Sequence, residues 1–170
     1  MCAPLMHAHT ASSDPIVIDL ETETDADAVA RLVDAAFGPG RWAKTAERLR
    51  EHNRPLIGLS LVAREDGRVT GSVRLWPVTI GDTPAAFLGP IAVEDAGRRR
   101  GLGARLVERA CAEAQAQGLA AVLLVGDEPY FGRFGFAHCK ARLPGPVDQR
   151  RVLIRMFGDR EPLEGDVRRA

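Results

Sequence analysis

A chain of 170 residues can bury one substantial core and is short for two. Hydrophobic residues at 45% and charged residues at 27% match a water-soluble globular protein, and no apolar run approaches the roughly 18 residues that span a bilayer, which argues against a membrane-embedded protein. Lys+Arg and Asp+Glu both number 23, so no field of one sign steers the molecule onto nucleic acid or an anionic membrane, and any charge-based function is local.

The opening MCAPLMHAHT has neither the basic start nor the apolar centre of a secretory signal, and the following SSDP is turn chemistry, so residues 1–14 read as a disordered leader. Cys2, His7 and His9 lack a fourth partner there, and no metal is expected. Three cysteines, an odd count without CxxC spacing, fit a reducing cytoplasm. One domain is expected over 15–157. Its first strand contains Ile16, Val17 and Ile18, after Pro15. Capping and acidic residues, Thr24, Asp25 and Asp27, precede an amphipathic spacing of Val29, Leu32, Val33 and Ala36, which predicts a helix that stops at Gly38. A second helix is predicted over about 42–51, with Trp42, Ala46 and Leu49 facing inward.

From Leu56 the pattern becomes extended. LIGLSLVAR, VTGSVRLWPVTI and AAFLGPIAV are separated by the hairpin signals Asp66-Gly67 and Gly81-Asp82, which predicts a three-stranded antiparallel meander. Gly89-Pro90 falls inside the third strand, and because Pro90 cannot donate to a ladder, a bulge is expected there. A helix over about 99–117 follows, with Leu102, Leu106, Val107, Ala110, Cys111 and Ala114 on one face and Gly118 as its stop. The run AAVLLV at 120–125 reads as a strand covered on both faces, parallel to the strand before the helix. A short helix near 129–134, strands near 136–142 and 151–157, and a flexible tail over 158–170 complete the reading.

The segment RRRGLGA, 98–104, lies where a strand and its loop give way to this helix. A helix start carries unpartnered N–H groups and the positive end of the helix dipole, so it suits an anion. Gly101 and Gly103 leave those groups open, and Arg98, Arg99 and Arg100 surround them with positive charge; the competing reading is close helix packing beside a solvated arginine face. A P-loop is disfavoured because its Lys-Ser/Thr end is missing.

This turn, preceded by LGPIAV, resembles the Q/R-x-x-G-x-G/A signature of the GNAT superfamily of N-acetyltransferases, and GDEPYFGRFGF at 126–136 is similar to a stretch of its YhbS-like branch. The resemblance implies an α/β (α+β) fold, a mixed, mostly antiparallel sheet of about seven strands flanked by about four helices. It implies acetyl-CoA as co-substrate, its pyrophosphate on the amides of residues 99–104 with Arg98, Arg99, Arg100, Gly101, Leu102, Gly103 and Ala104 around it. Its pantetheine arm would lie along Ile91, Ala92 and Val93, with the Val93 backbone N–H as oxyanion contact. The reaction implied is direct attack by a primary amine of a small molecule or peptide in a ternary complex, and pairing of relatives through their later strands implies a homodimer.

Where many relatives carry a tyrosine for the leaving thiolate, this chain has Phe131, which cannot donate a proton. The single tyrosine, Tyr130, is one step earlier and about 100° round a helix. Three possibilities stay open: a shifted helix that turns Tyr130 to the sulfur, a thiolate that leaves with help from water, or a catalytically weak or inactive acyl-CoA sensor on the same fold. Asp127, Glu128 and His138 are candidate bases by neighbourhood alone, with ordered water an equal alternative. Phe37, Arg41, Trp42 and Trp76 are the aromatic and basic residues available to shape an acceptor pocket, whereas Cys111 and Cys139 read as packing residues.

Overall fold

The structure is a computed structural model that describes residues 15–170; the predicted leader and its Cys2, His7 and His9 lie outside the described residues. Strand β1 (Val17–Leu20) forms one edge of the sheet. Asp25 then opens helix α1 (Ala26–Phe37): its Oδ2 accepts from the Thr22 backbone N–H at 2.9 Å and from the Thr22 hydroxyl at 2.8 Å, and pairs with Arg64 at 2.7 Å. The helix ends at Gly38, with φ 63°.

The predicted second helix is broken in two. A 3-10 turn (Pro39–Ala43) is followed by Lys44 in extended geometry and by the four-residue α2 (Thr45–Arg48). The break turns Trp42 outward, 59% exposed beneath the Arg41 guanidinium, while Leu49 reaches the core as expected.

The meander forms as predicted from β2 (Leu61–Glu65), β3 (Arg68–Ile80) and β4 (Thr83–Val93). Asp66 and Gly67 take φ of 51° and 74°, the left-handed pair that a tight hairpin requires. Leu75 faces Leu88 and Val73 faces Ile91, so Arg74 alone is opposed by two residues, Gly89 and Pro90. This is the bulge expected from Pro90. Residues 56–60, read as strand, instead form a turn, with Leu59 N–H bonded to the Leu56 carbonyl.

After β4 the chain enters α3 (Asp95–Arg99), passes Gly101 and begins α4 (Leu102–Ala116). One continuous helix from Arg99 is thus replaced by two, because Gly101 at φ 71° interrupts the helical path. The inward face of α4 is the one read from its periodicity, and Leu102, Leu106, Val107, Ala110 and Cys111 are all at 0% exposure. Strand β5 (Ala121–Val125) returns parallel to β4, but only Ala86 with Val122 and Phe87 with Leu123 are paired. Beyond Phe87 the two strands part.

The chain continues through α5 (Glu128–Phe131), β6 (Ala137–His138), β7 (Ala141–Arg142), β8 (Val152–Met156) and β9 (Gly165–Arg169). The sheet runs β1-β2-β3-β4-β5-β8-β6, antiparallel along that path except at β4 with β5, and β9 joins β3 antiparallel and β7 parallel. The fold class is the expected one, with nine strands and five α-helices among the described residues instead of about seven and four. The expected flexible tail also needs correction. Within it, β9 pairs Val167, Arg168 and Arg169 with Ile80, Thr79 and Val78, and buries Val167 to 2% exposure. Alternation along β4 and β5 divides the interior: Ala86, Leu88, Val122 and Leu124 pack towards α4, and Phe87, Ala85, Leu123 and Ala121 pack on the opposite face.

Candidate active site

Two strands that share a ladder and then separate leave backbone and side chains facing a gap, and here that gap opens into two clefts. One lies between the end of β4 and the start of α4, lined by Ile91, Ala92, Val93, Arg98, Arg99, Gly101, Gly103, Ala104, Tyr130 and Arg133. The other, of about 520 Å³, lies on the far side of the bulge, beneath α2 and the segment 146–151. Phe37 and Ile91 border both, so the two clefts meet at the bulged strand.

The first cleft is an anion site by construction. Arg105 N–H makes the first hydrogen bond of α4, to the Gly101 carbonyl at 3.2 Å, which leaves the amides of Leu102, Gly103 and Ala104 at the helix start without an intrahelical partner. The Arg100 and Gly101 amides, by contrast, close turns onto Gly97 and Arg98 at 3.1 Å each. The usable amides are therefore fewer than the run 99–104 suggests. Gly101 has open space where a Cβ would stand, and a Cβ on Gly103 would be 3.3 Å from the Tyr130 hydroxyl. The three arginines divide as well. Arg98 and Arg99 line the cleft, the former paired with Asp95, whereas Arg100 turns to β2 and makes a two-pronged ion pair with Glu65 at 2.9 Å. That pairing lowers the Glu65 carboxyl pKa and raises that of Arg100. Arg133, which the sequence reading quoted without a role, takes the remaining place on the rim, its Nε bonded to the Tyr130 carbonyl and its guanidinium 4.6 Å from the Tyr130 ring.

Tyr130 and Phe131 point into different clefts. The Tyr130 hydroxyl overhangs Gly103, at the level of Val93, whose Cγ2 lies 3.9 Å from the same Gly103 Cβ position. Phe131 lines the second cleft and rests on Gly126, where a Cβ would stand 2.3 Å from its ring. The two rings meet edge to face at 4.9 Å. Phe131, expected on the cofactor side, thus lines the second cleft, and Tyr130 lines the first.

In the second cleft an apolar wall of Phe87, Leu88, Pro90, Leu124, Val125 and Phe131 faces a charged cluster. Glu47, 3% exposed, accepts from Arg50 Nη1 at 2.6 Å and lies 3.8 Å from Arg41, which also pairs with the exposed Asp34 at 3.0 Å. Burial lowers the Arg50 pKa, and the Glu47 carboxylate opposes that shift. The Arg50 side chain lies against the bulge, its Nη2 2.7 Å from where a Cβ on Gly89 would stand, so a side chain there would displace the guanidinium. Asp127 borders the cleft and pairs with Arg151 at 3.2 Å.

Of the residues offered for an acceptor pocket, Phe37 and Arg41 line this cleft. Trp42 is outside it, and Trp76 is buried at 8% exposure with its indole N–H donated to the Gly89 carbonyl at 2.5 Å. Among the candidate bases only Asp127 borders the cleft, while His138 is exposed on β6 and Glu128 is turned to Gly132. Cys111 is buried beneath α4 and Cys139 is half-buried, and burial raises both thiol pKa values, as expected of packing residues. Sequence reasoning missed Glu47 and Arg50. Their signal was available only as an i, i+3 charge pair, which on a helix surface ordinarily marks a solvated face.

The model of the acetyltransferase (GNAT) family matches residues 26–136, well over half of the chain. The chain is 33% identical over 150 residues to the uncharacterized N-acetyltransferase YhbS of Escherichia coli K12, covering 85% of this chain and 89% of that protein. The crystal structure of Escherichia coli YhbS in complex with CoA superposes with a TM-score of 0.79 at 28% identity, covering 93% of each chain. A GNAT family acetyltransferase from Brucella melitensis in complex with acetyl-CoA gives a TM-score of 0.71 at 28% identity, over 92% of this chain and 96% of that one. With the splayed strands, the glycine-bordered helix start and these matches together, the chain belongs to the GNAT family of acetyltransferases.

Proposed function

We propose that this N-acetyltransferase binds acetyl-CoA in the cleft between β4 and α4 and transfers the acetyl group directly to a primary amine held in the adjoining cleft. The observation that carries the reading is the meeting of the two clefts at Ile91 and Phe37, which brings two substrates together without a covalent enzyme intermediate. The bound complexes of the Escherichia coli and Brucella melitensis relatives support the choice of co-substrate. The diphosphate would be held by the amides of Leu102, Gly103 and Ala104 with Arg98, Arg99 and Arg133 around it, and the pantetheine arm by the backbone of Ile91, Ala92 and Val93.

The thioester supplies an activated acetyl group, and the protein positions it, donates to its developing negative charge and drains a proton from the amine. The family resemblance assigned the donor to the Val93 amide. The cleft junction at Ile91 favours the Ile91 amide for that contact and leaves Val93, two residues or about 6.6 Å further along the strand, for pantetheine. The Tyr130 hydroxyl, hung over Gly103, is better placed to touch the carrier than to protonate the departing sulfur, so the thiolate leaves through water. Proton removal from the amine is assigned to ordered water at the cleft mouth, with Asp127 tied to Arg151. The same proposal makes the enzyme a cytoplasmic homodimer, with light scattering as the check on the pairing.

Release of free thiol from acetyl-CoA across a panel of primary amines tests the proposal, with turnover expected on at least one of them. A specific observation favours a second reading. By the family resemblance Phe131 stands at the chain position where many relatives carry a tyrosine, and its apolar ring lines the second cleft, as in a sensor that binds the acyl carrier without using it. Tight acetyl-CoA binding without thiol release on any amine selects that reading over the first.

A further inference from the structure

The acceptor-side cleft carries a charge that its own residues do not balance. Among the described residues Arg41, Lys44, Arg50 and Arg151 line it against Glu47, Asp127 and Asp148, an excess of one positive charge. The outlying partners leave that excess in place, since Asp34 answers Arg41 and Arg150 answers Asp148. The acids at the mouth are already engaged, Asp127 with Arg151 at 3.2 Å and Asp148 with Arg150 at 2.9 Å.

The deepest cation is Arg50. Its side chain is 12% exposed, and Nη1 is held by Glu47. Among the described residues Nε is buried with no hydrogen-bond partner, and Nη2, which points to Gly89, has no acceptor. A guanidinium presents five donors, and one carboxylate oxygen leaves most of them unanswered in a cavity whose other wall is apolar. Such a fork suits a second carboxylate, which a bidentate pair would hold in a fixed orientation.

Position restricts the ligand further. Arg50 touches the bulge at Gly89, two residues from Ile91 at the junction of the two clefts. An anion held on Arg50 therefore lies within a few bonds of whatever enters the junction. We infer that the acceptor is an amino carboxylate, a primary amine with its carboxylate on the same or the next carbon and an apolar side chain, whose carboxylate docks on Arg50 while Phe87, Leu124 and Phe131 receive the side chain. Glu47 then acts as a positioning residue that holds the Arg50 fork towards Gly89. This inference rests on the acetyltransferase reading for the amine but not for the anion, and its test separates the two.

The full chain is assayed for thiol release from acetyl-CoA with L-leucine, L-methionine and L-phenylalanine, each beside its carboxamide, and with aminoalkyl phosphates of matched length. Heat protection by the N-acetylated amino acids and their amides is measured in parallel. The acids are expected to exceed their amides in kcat/KM by about 10- to 100-fold. Arg50→Gln should bring that ratio close to one, and Arg50→Lys, which keeps the charge without the fork, should leave it intermediate. Acetyl-CoA protection against heat reports that each variant is folded, and the wild-type ratio decides the matter should Arg50→Gln fail to fold. Equal turnover of acids and amides overturns the inference and leaves the acetyltransferase reading standing, and preference for the phosphates overturns the carboxylate assignment. Absence of thiol release, together with heat protection by N-acetyl amino acids that is lost in Arg50→Gln, supports the anion subsite and overturns the catalytic reading. Absence of both overturns both.

Discussion

Gly103 and Tyr130 set the resolution at which the carrier cleft can be tested. Because Gly103 has ordinary helical geometry, a side chain there strains no backbone, and removing a glycine from a helix favours folding by up to about 1 kcal/mol. A leucine at that position nonetheless stands between Tyr130 and the unpartnered amides. Gly103→Leu is therefore expected to weaken acetyl-CoA binding at least about tenfold, while its melting temperature stays within a few degrees of wild type. Calorimetry and a thermal melt read the two quantities separately. Tyr130→Phe removes a hydroxyl that overhangs the same glycine, so it should raise KM for acetyl-CoA a few-fold and leave kcat within about twofold. A kcat loss of about 100-fold would instead make Tyr130 the acid. The glycine and arginine turn at the start of α4 was legible in the sequence because bare positions and cations around a helix start have a local physical meaning, but the turning of Arg100 to Glu65 was not. Arg50 and Glu47 were not, since the depth of a short charged helix is set by the fold around it and not by its own spacing.

At the scale of elements, the capping box of the 3-10 turn (Glu23–Asp25) that leads into α1 gives a pH prediction. Three donors on its carboxylate, the Arg64 guanidinium first among them, hold the Asp25 pKa at about 2, below the ordinary 3.8. A depressed carboxyl pKa stabilises the fold above pH 3.8, and that contribution is lost as pH falls through about 2. Asp25→Asn should lower stability at neutral pH by about 1 to 3 kcal/mol and flatten the acid limb of the stability curve between pH 4 and 2. Urea melts across that range would show both. The C-terminal strand gives the second prediction. Val167 is its inward residue and packs with Val78 and Ile80, so deletion of 158–170 should lower the melting temperature by at least about 5 °C. A truncation that melts like the full chain would make β9 dispensable. The sequence hid this strand for a definite reason: GDVRR offers one apolar residue, too few for an alternating pattern, and its partners are supplied by β3 and β7. The meander and α4 were readable because hairpin glycines and helical periodicity are local signals. The split at Gly101 was not, since a glycine at a helix start reads equally as its first residue or as a break.

Across the whole molecule, the two clefts meet at one irregularity of the sheet. The bulge at Gly89 and Pro90 lies just beyond the two residues that pair β4 with β5, where a cationic, amide-lined cleft meets a second, largely apolar one. Pro90 announced the bulge in the sequence, but the second cleft is assembled from α2, β4, β5 and the 146–151 segment, which are remote along the chain and meet only in the fold. Titration of acetyl-CoA into the full chain beside its Gly103→Leu variant tests this arrangement most directly. Saturable one-site binding to the wild type, weakened at least about tenfold in a variant that melts normally, is the predicted result. Failure of the wild type to bind, or equal binding by the variant, would contradict it.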